Sequence, residues 1–183
     1  MDKSSHVVTP MILSKLQPNV GELLCDAREC HSIVGALLYV CHTRPDITFS
    51  MNQVAQYMHA RRQGHLVVVK RILRYLVSTL DYGLVLSPYG VNVKVVAFVY
   101  ADWGGNPDDR KLIYGHCVFV GDNLVSWASK KQKTVSSSTM EVEYRSVDDA
   151  TAKVTWVDVV LSDMGIVRQG CRLFGVITVV LWL

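Results

Sequence analysis

Apolar positions change their period along the chain. The first thirty residues are mixed and weakly patterned, with Pro10 and Pro18, and read as an extended lead-in. Ser32 to Cys41 (SIVGALLYVC) is continuously apolar, which suits a helix or a buried strand; periodicity alone does not separate the two. Thr43-Arg44-Pro45-Asp46 carries a helix-start signature, with Thr43 or Arg44 near the cap and Pro45 and Asp46 in the first turn. Ile47, Met51, Val54 and Met58 follow at intervals of four, three and four and share one helical face. A second helix is predicted from about His65 to Leu80, closed by Asp81-Tyr82-Gly83. Its expected buried stripe is Leu66, Val69, Leu73 and Leu76, with Lys70, Arg71 and Arg74 lying away from it.

After Ser87-Pro88-Tyr89-Gly90 the period becomes that of a strand. Val91 to Tyr100 (VNVKVVAFVY) is rich in β-branched and aromatic residues, with Val91, Val93, Val95, Ala97 and Val99 on one parity. Ala101 to Arg110 (ADWGGNPDDR) reads as a turn. Leu112–Val120 and Leu124–Ser129 are the next strands, joined by Gly121-Asp122-Asn123, which has hairpin chemistry. The simplest arrangement is an antiparallel meander. Ser138-Thr139-Met140-Glu141 fits a capping box and opens a long helix to Met164, stopped by Gly165. Tyr144, Val147, Thr151, Val154, Val157 and Leu161 are spaced to cover the sheet.

Composition narrows the class. With 183 residues, 50% hydrophobic and 19% charged, the chain has the material for a core, which excludes wholesale disorder. The apolar C-terminal stretch Leu173–Leu183 is shorter than the roughly 20 residues that span a bilayer, so no membrane partner is expected. Met1-Asp2-Lys3-Ser4-Ser5-His6 has no signal-peptide pattern, and a cytosolic or nuclear, unsecreted protein is the default. The cysteines Cys25, Cys30, Cys41, Cys117 and Cys171 are odd in number and form no CxxC, which fits reduced thiols. Cys25, Cys30, His31, Cys41 and His42 are metal-ligand types at a spacing that matches no metal site.

Charge placement says more than the net +3. Between Asp46 and Asp81 there is no acid, yet Arg61, Arg62, Lys70, Arg71 and Arg74 fall there. Such cations make either a surface for phosphates or an ordinary solvated face. Lys130, Lys131 and Lys133 add a short basic patch.

These residues carry a family signature. SIVGALLYV, HTRPDITFSMNQVAQYMHA, HLVVVKRILRYL and TLDYGLVLSP resemble the Pol polyprotein of plant copia-type LTR retrotransposons, where reverse transcriptase leads into ribonuclease H. ADWGGNPDDRK, YGHCVFVGDNLVSWASKKQKTVS and EVEYRS continue in register, and the resemblance runs to about Cys171. It implies an α/β fold: a helical, basic reverse-transcriptase remnant over 1–84, then an incomplete ribonuclease-H-like unit over 91–171. That unit would hold a three-stranded meander and a long helix. In the complete fold a further strand pairs in parallel with the first, a place the tail 172–183 would fill unless it stays an exposed edge.

The parent activity cuts the RNA strand of an RNA–DNA hybrid, with acids holding two Mg²⁺ ions. The resemblance places the first acid in a pattern aromatic-Ser-Asp-Ala-Asp-Trp. Here Phe98-Val99-Tyr100-Ala101-Asp102-Trp103 puts Tyr100 at the catalytic position, and Asp102 at the second, non-catalytic one. Asp102 is a weak substitute, roughly 6–7 Å farther along an extended strand. The second acid is retained as Glu143, while Glu141 caps the helix. The third belongs to a string resembling Leu-Trp-Cys-Asp-Asn, which is absent. Reading CTT TGG TGT GAT AAC AGT one nucleotide late yields Phe-Gly-Val-Ile-Thr-Val, the run Phe174–Val179. A shifted frame therefore splits the expected Asp codon between Val176 and Ile177 and leaves the fourth acid beyond the tail.

The expectation is a degenerate, inactive fragment that binds no productive Mg²⁺ but keeps nucleic-acid contacts through Arg61, Arg62, Lys70, Arg71, Arg74, Lys130, Lys131 and Lys133. The alternatives are an active Mg²⁺-dependent nuclease using Glu143 and Asp102, and a decayed reading frame without selected function. RNA–DNA hybrid is the partner implied, with the rest of a reverse transcriptase in trans as a second.

Overall fold

The computed structural model describes residues 7–11, 22, 27–58, 62–88, 93–102, 111, 113–132, 138–166 and 173–179. The chain divides into two compact units, Met1–Leu84 and Val85–Leu183.

In the first unit the apolar run beyond residue 30 is helical: α1 spans Ala27–Val40. Its buried Cys30, Val34 and Leu37 recur at helical spacing and meet Ile47, Met51 and Val54. Between them Pro45–Ile47 forms a single 3-10 turn, with proline at the position where its fixed φ fits and no N–H is needed. α2 follows at Thr48–Ala55, and Met58 packs on the same core from beyond its end. Full burial of Ile47, Met51 and Ile72 contributes about 1.5–3 kcal/mol apiece.

α3 spans Gln63–Ser78, and its buried face includes the expected Val69 but is centred to one side of the expected stripe. His65, Val69, Ile72 and Tyr75 point inward, while Leu66, Leu73 and Leu76 are only partly buried. The polar members turn inward because they find partners. The Tyr75 hydroxyl donates to Asp46 Oδ2 at 2.8 Å, and the His65 ring stacks on Tyr57 with centroids 4.6 Å apart. Arg44, expected only as a cap, is buried and ties this unit together. Its guanidinium donates to both oxygens of Asp46 at 3.0 and 2.7 Å, and to the Thr79 carbonyl and hydroxyl at 2.8 and 2.6 Å.

The second unit is a four-stranded sheet in the order β3-β2-β1-β4, with helix α4 on one face. β1 (Val95–Asp102), β2 (Ile113–Val120) and β3 (Asn123–Lys131) form the antiparallel meander. Val95, Ala97 and Val99 are buried on one parity, as the alternation implies, and Ala101 extends that series. The predicted turn therefore starts later: Ala101 and Asp102 continue β1, and 103–110 lie outside the described residues. β3 is longer than expected and takes in Lys130 and Lys131. Asn123, buried at its start, mimics a strand partner for Ser87, accepting from its N–H at 2.7 Å and donating to its carbonyl at 2.8 Å.

α4 spans Thr139–Asp163. The Ser138 hydroxyl accepts from the Glu141 N–H at 3.2 Å, and Gly165 at φ 73° ends the helix in the left-handed region that glycine enters without strain. Its C-terminal half buries the expected Val154 and Val157, with Leu161 packed beside them, but its N-terminal half turns a different face to the sheet. Val142, Ser146, Ala150, Val154 and Val157 are buried, whereas Tyr144 is 68% exposed. Small side chains at Ser146 and Ala150 let the helix approach the sheet closely, which a ring at Tyr144 would prevent. The tail forms β4 (Leu173–Val179), parallel to β1. It pairs with β1 instead of remaining an unpaired edge, and β4 itself becomes the sheet border.

Candidate functional site

The candidate acid positions gather at the C-terminal end of β1. Tyr100 is in register with Gly115 on β2 and Ile177 on β4, and Val99 with Val176. Asp102 lies two register pairs farther along, between Ile113 and Val179. The side chains of Asp102 and β4 lie outside the described residues. Alternation sets Tyr100 on the face opposite Val99 and Ala101. α4 reaches the same end of the sheet, where Val142 packs on Ala101. Glu143 is therefore one residue from that contact, half-buried, and its backbone carbonyl accepts from the Ser146 hydroxyl at 2.7 Å. The Glu141 carboxylate pairs with Arg145 at 2.7 Å, one turn along the helix. Among the described residues no group of three or more His, Cys, Asp or Glu is placed to hold a metal ion.

The basic positions are divided between the two units. Lys70 is exposed on α3. Arg71 donates to the Thr9 carbonyl at 3.1 Å and hydroxyl at 2.9 Å, both neutral partners. Arg74, one turn from Lys70, is half-buried, and Arg62 sits at the α3 N-cap with its N–H donating to His65 Nδ1 at 3.2 Å. Lys130 pairs with Asp149 at 3.3 Å. Lys131 is its strand neighbour and so lies on the other face of the sheet, which splits the expected patch. Arg61 and Lys133 lie outside the described residues.

One polar cluster was not anticipated. Tyr114 and Lys130, register partners on β2 and β3, both donate to Asp149 of α4, the phenol at 3.1 Å. Burial pushes the Asp149 carboxyl up, but Lys130, Tyr114 and His116 outweigh it and hold it below the ordinary value. His116 on β2 is only 3% exposed, and neither ring nitrogen has a hydrogen-bond partner among the described residues. Burial pushes its pKa down, as do Lys130 and Lys153, against the opposing pull of Asp149. Only the pairing of Tyr114 with Lys130 opposite a helical acid could have signalled this latch. Cys30, Cys41 and Cys117 form no disulfide among the described residues, and burial raises the pKa of the last two.

Similarity to known proteins decides the family. The chain is 42% identical over 167 residues to the retrovirus-related Pol polyprotein from transposon RE1 of Arabidopsis thaliana, covering 91% of this chain. It is 41% identical over 161 residues, 87% of its length, to that from transposon RE2 of the same plant. The chain belongs to the copia-type retrotransposon Pol family. It spans 11% of the length of each of these two Pol relatives. This Pol-family chain is also 37% identical over 129 residues to secreted RxLR effector protein 161 of Plasmopara viticola, covering 70% of its own length and 90% of that protein. No family model and no solved structure matches it. No described helix is long and apolar enough to cross a membrane.

Proposed function

We propose that the chain is a degenerate fragment of the reverse transcriptase–ribonuclease H region of a copia-type Pol polyprotein, inactive as a nuclease and still able to contact nucleic acid. The observation that carries this reading is the register of β1 with β4. Tyr100, where the resemblance expects the first carboxylate, pairs with Ile177, and Val99 with Val176, the two residues between which the shifted frame splits the third acid's codon. The sheet order β3-β2-β1-β4, with β4 parallel to β1 after α4, supports a ribonuclease-H-like ancestry.

The ancestral chemistry uses Mg²⁺, a hard cation that requires anionic oxygens in near-octahedral geometry. The donors here do not suit it. Tyr100 offers a phenol where the cation calls for a carboxylate, and neither valine nor isoleucine offers a side-chain donor. Glu143 remains as a single inherited carboxylate, against the clustered acids that a two-metal cut needs. Members of such a unit act together, so losing two removes most of the rate.

Phosphate contacts are less demanding, because they need positive charge and only rough geometry. Lys70, Arg71 and Arg74 on α3 best meet that need, since Lys130 is already paired with Asp149. A decayed reading frame without selected activity is the second reading, favoured by the out-of-frame composition of Phe174–Val179. The test is Mg²⁺-dependent cleavage of a labelled RNA–DNA hybrid, with Glu143→Gln as the control. The two proteins should be indistinguishable from buffer, and cleavage that Glu143→Gln abolishes overturns the proposal.

A further inference from the structure

The face of the sheet turned away from α4 is aromatic and basic at its ends. Phe98, Cys117 and Trp127 are successive register partners across β1, β2 and β3. Phe98 is 41% exposed, and Phe119 meets it edge to face with ring centroids 5.9 Å apart. Tyr100 lies two residues farther along β1 on the same face, so it adds a ring where the resemblance expects a charge. Its neighbour on β2 is Gly115, and the neighbour of Phe98 on β4 is Gly175. Neither glycine has a side chain to crowd the rings.

Charge on this face is asymmetric. Lys94, exposed just before β1, shares the parity of Phe98, and Lys131 stands at the opposite end opposite Ile113. The sequences of β1, β2 and β3 contain a single acid, Asp102, which by parity falls on this face at the Lys131 end, in register with Ile113. The acids Glu141, Glu143, Asp148, Asp149, Asp158 and Asp163 all belong to α4.

We propose that this face binds single-stranded nucleic acid. Bases stack on Phe98 and Trp127, with Tyr100 and Phe119 flanking them, and the backbone runs between Lys94 and Lys131. Aromatic side chains on a sheet stack bases regardless of sequence, and cations along the path neutralise phosphates. A duplex keeps its base faces stacked internally and offers them no partner. A second copy of the chain is a poorer occupant, because self-association would bring the cationic ends of the two faces together. This surface lies on the second unit and does not depend on the α3 cations.

The test is fluorescence anisotropy of labelled oligo-dT, oligo-rU and a matched duplex with the full chain across a salt series. Single strands should bind more tightly than duplex. Phe98→Ala and Trp127→Leu should each weaken single-strand binding about tenfold, within the range measured for loss of one stacking platform. Trp156→Ala, exposed on α4, should have no effect. Lys131→Gln should reduce the slope of log affinity against log salt by about 0.7. Phe98→Leu keeps apolar volume without the ring, and is the variant to read should the alanine chain fail to fold. Unchanged affinity in both Phe98→Leu and Trp127→Leu overturns the proposal. So does loss confined to Lys70→Gln and Arg74→Gln, which would leave the α3 reading standing. A dimer that Phe98→Lys dissociates, without oligonucleotide binding, also overturns it and assigns the face to a second copy.

Discussion

Arg44→Met removes a guanidinium at the centre of the first unit while keeping most of its apolar stem. Four hydrogen bonds disappear, two to Asp46 and two to Thr79, together with the placement of the guanidinium 5.7 and 5.8 Å from the Tyr75 and Tyr82 ring centres. The Thr79 hydroxyl still donates to the Tyr75 carbonyl, and Asp46 still accepts from the Tyr75 hydroxyl, both at 2.8 Å. Truncating one partner of a buried ion pair costs about 3–5 kcal/mol. Here the Arg44 side chain is 9% exposed but that of Asp46 is 31% exposed, so water can rehydrate the orphaned carboxylate. The expected loss is therefore about 2–3 kcal/mol.

The same pair sets an acid limit on stability. Burial pushes the Asp46 carboxyl up, but Arg44 and Tyr75 together outweigh burial and hold it below the ordinary 3.8. A carboxylate whose folded pKa is depressed adds stability that is fully present above its unfolded value and lost as pH falls through the folded one. In Arg44→Met that acid-side loss should shrink. Urea unfolding of the full chain, followed by far-UV circular dichroism at pH 7 and in steps below pH 4, measures both effects. A loss under about 0.5 kcal/mol with an unchanged acid limb would show that the guanidinium contributes only packing.

Three further outcomes are expected. His116 has its pKa pushed below the ordinary 6.5, so stability should fall as pH drops below 6.5, by at most about 1.4 kcal/mol per pH unit. His116→Phe should flatten that slope in a pH series of thermal melts. Gly115→Ala would place a Cβ 2.8 Å from the Ala128 carbonyl oxygen, so it should cost about 1–3 kcal/mol in urea unfolding. Lys70→Gln with Arg74→Gln should weaken hybrid binding equally across sequences and lower the salt slope, by about 0.9 for each phosphate no longer neutralised. An unchanged slope in filter binding would remove α3 from the interface.

Local chemistry was legible wherever the residues alone decide the outcome. Pro45 at the first position of its turn, Ser138 at the α4 cap and Gly165 at the α4 end behave as their side chains require. The strand parity of Val95, Ala97 and Val99 was legible for the same reason. Helix faces were legible in part: Ile47, Met51, Val54, Val69, Val154 and Val157 are buried as their spacing implies, while partners from elsewhere select the rest. Asp46 and Tyr57 draw Tyr75 and His65 inward, and the sheet accepts Ser146 and Ala150 in place of Tyr144. The basic patch suffered likewise: alternation along β3 separates Lys130 from Lys131, and Asp149 claims the first. The tail's composition suited a strand, but only the fold could supply its register, which sets Ile177 beside Tyr100.

The most direct measurement is release of labelled RNA fragments from an RNA–DNA hybrid by the purified chain, with and without Mg²⁺, beside Glu143→Gln. If the proposed reading holds, with Tyr100 at the first acid position and the third acid's codon split between Val176 and Ile177, no Mg²⁺-dependent fragments should appear from either protein. Fragments that require Mg²⁺ and vanish in Glu143→Gln would mean that the cation is gripped after all.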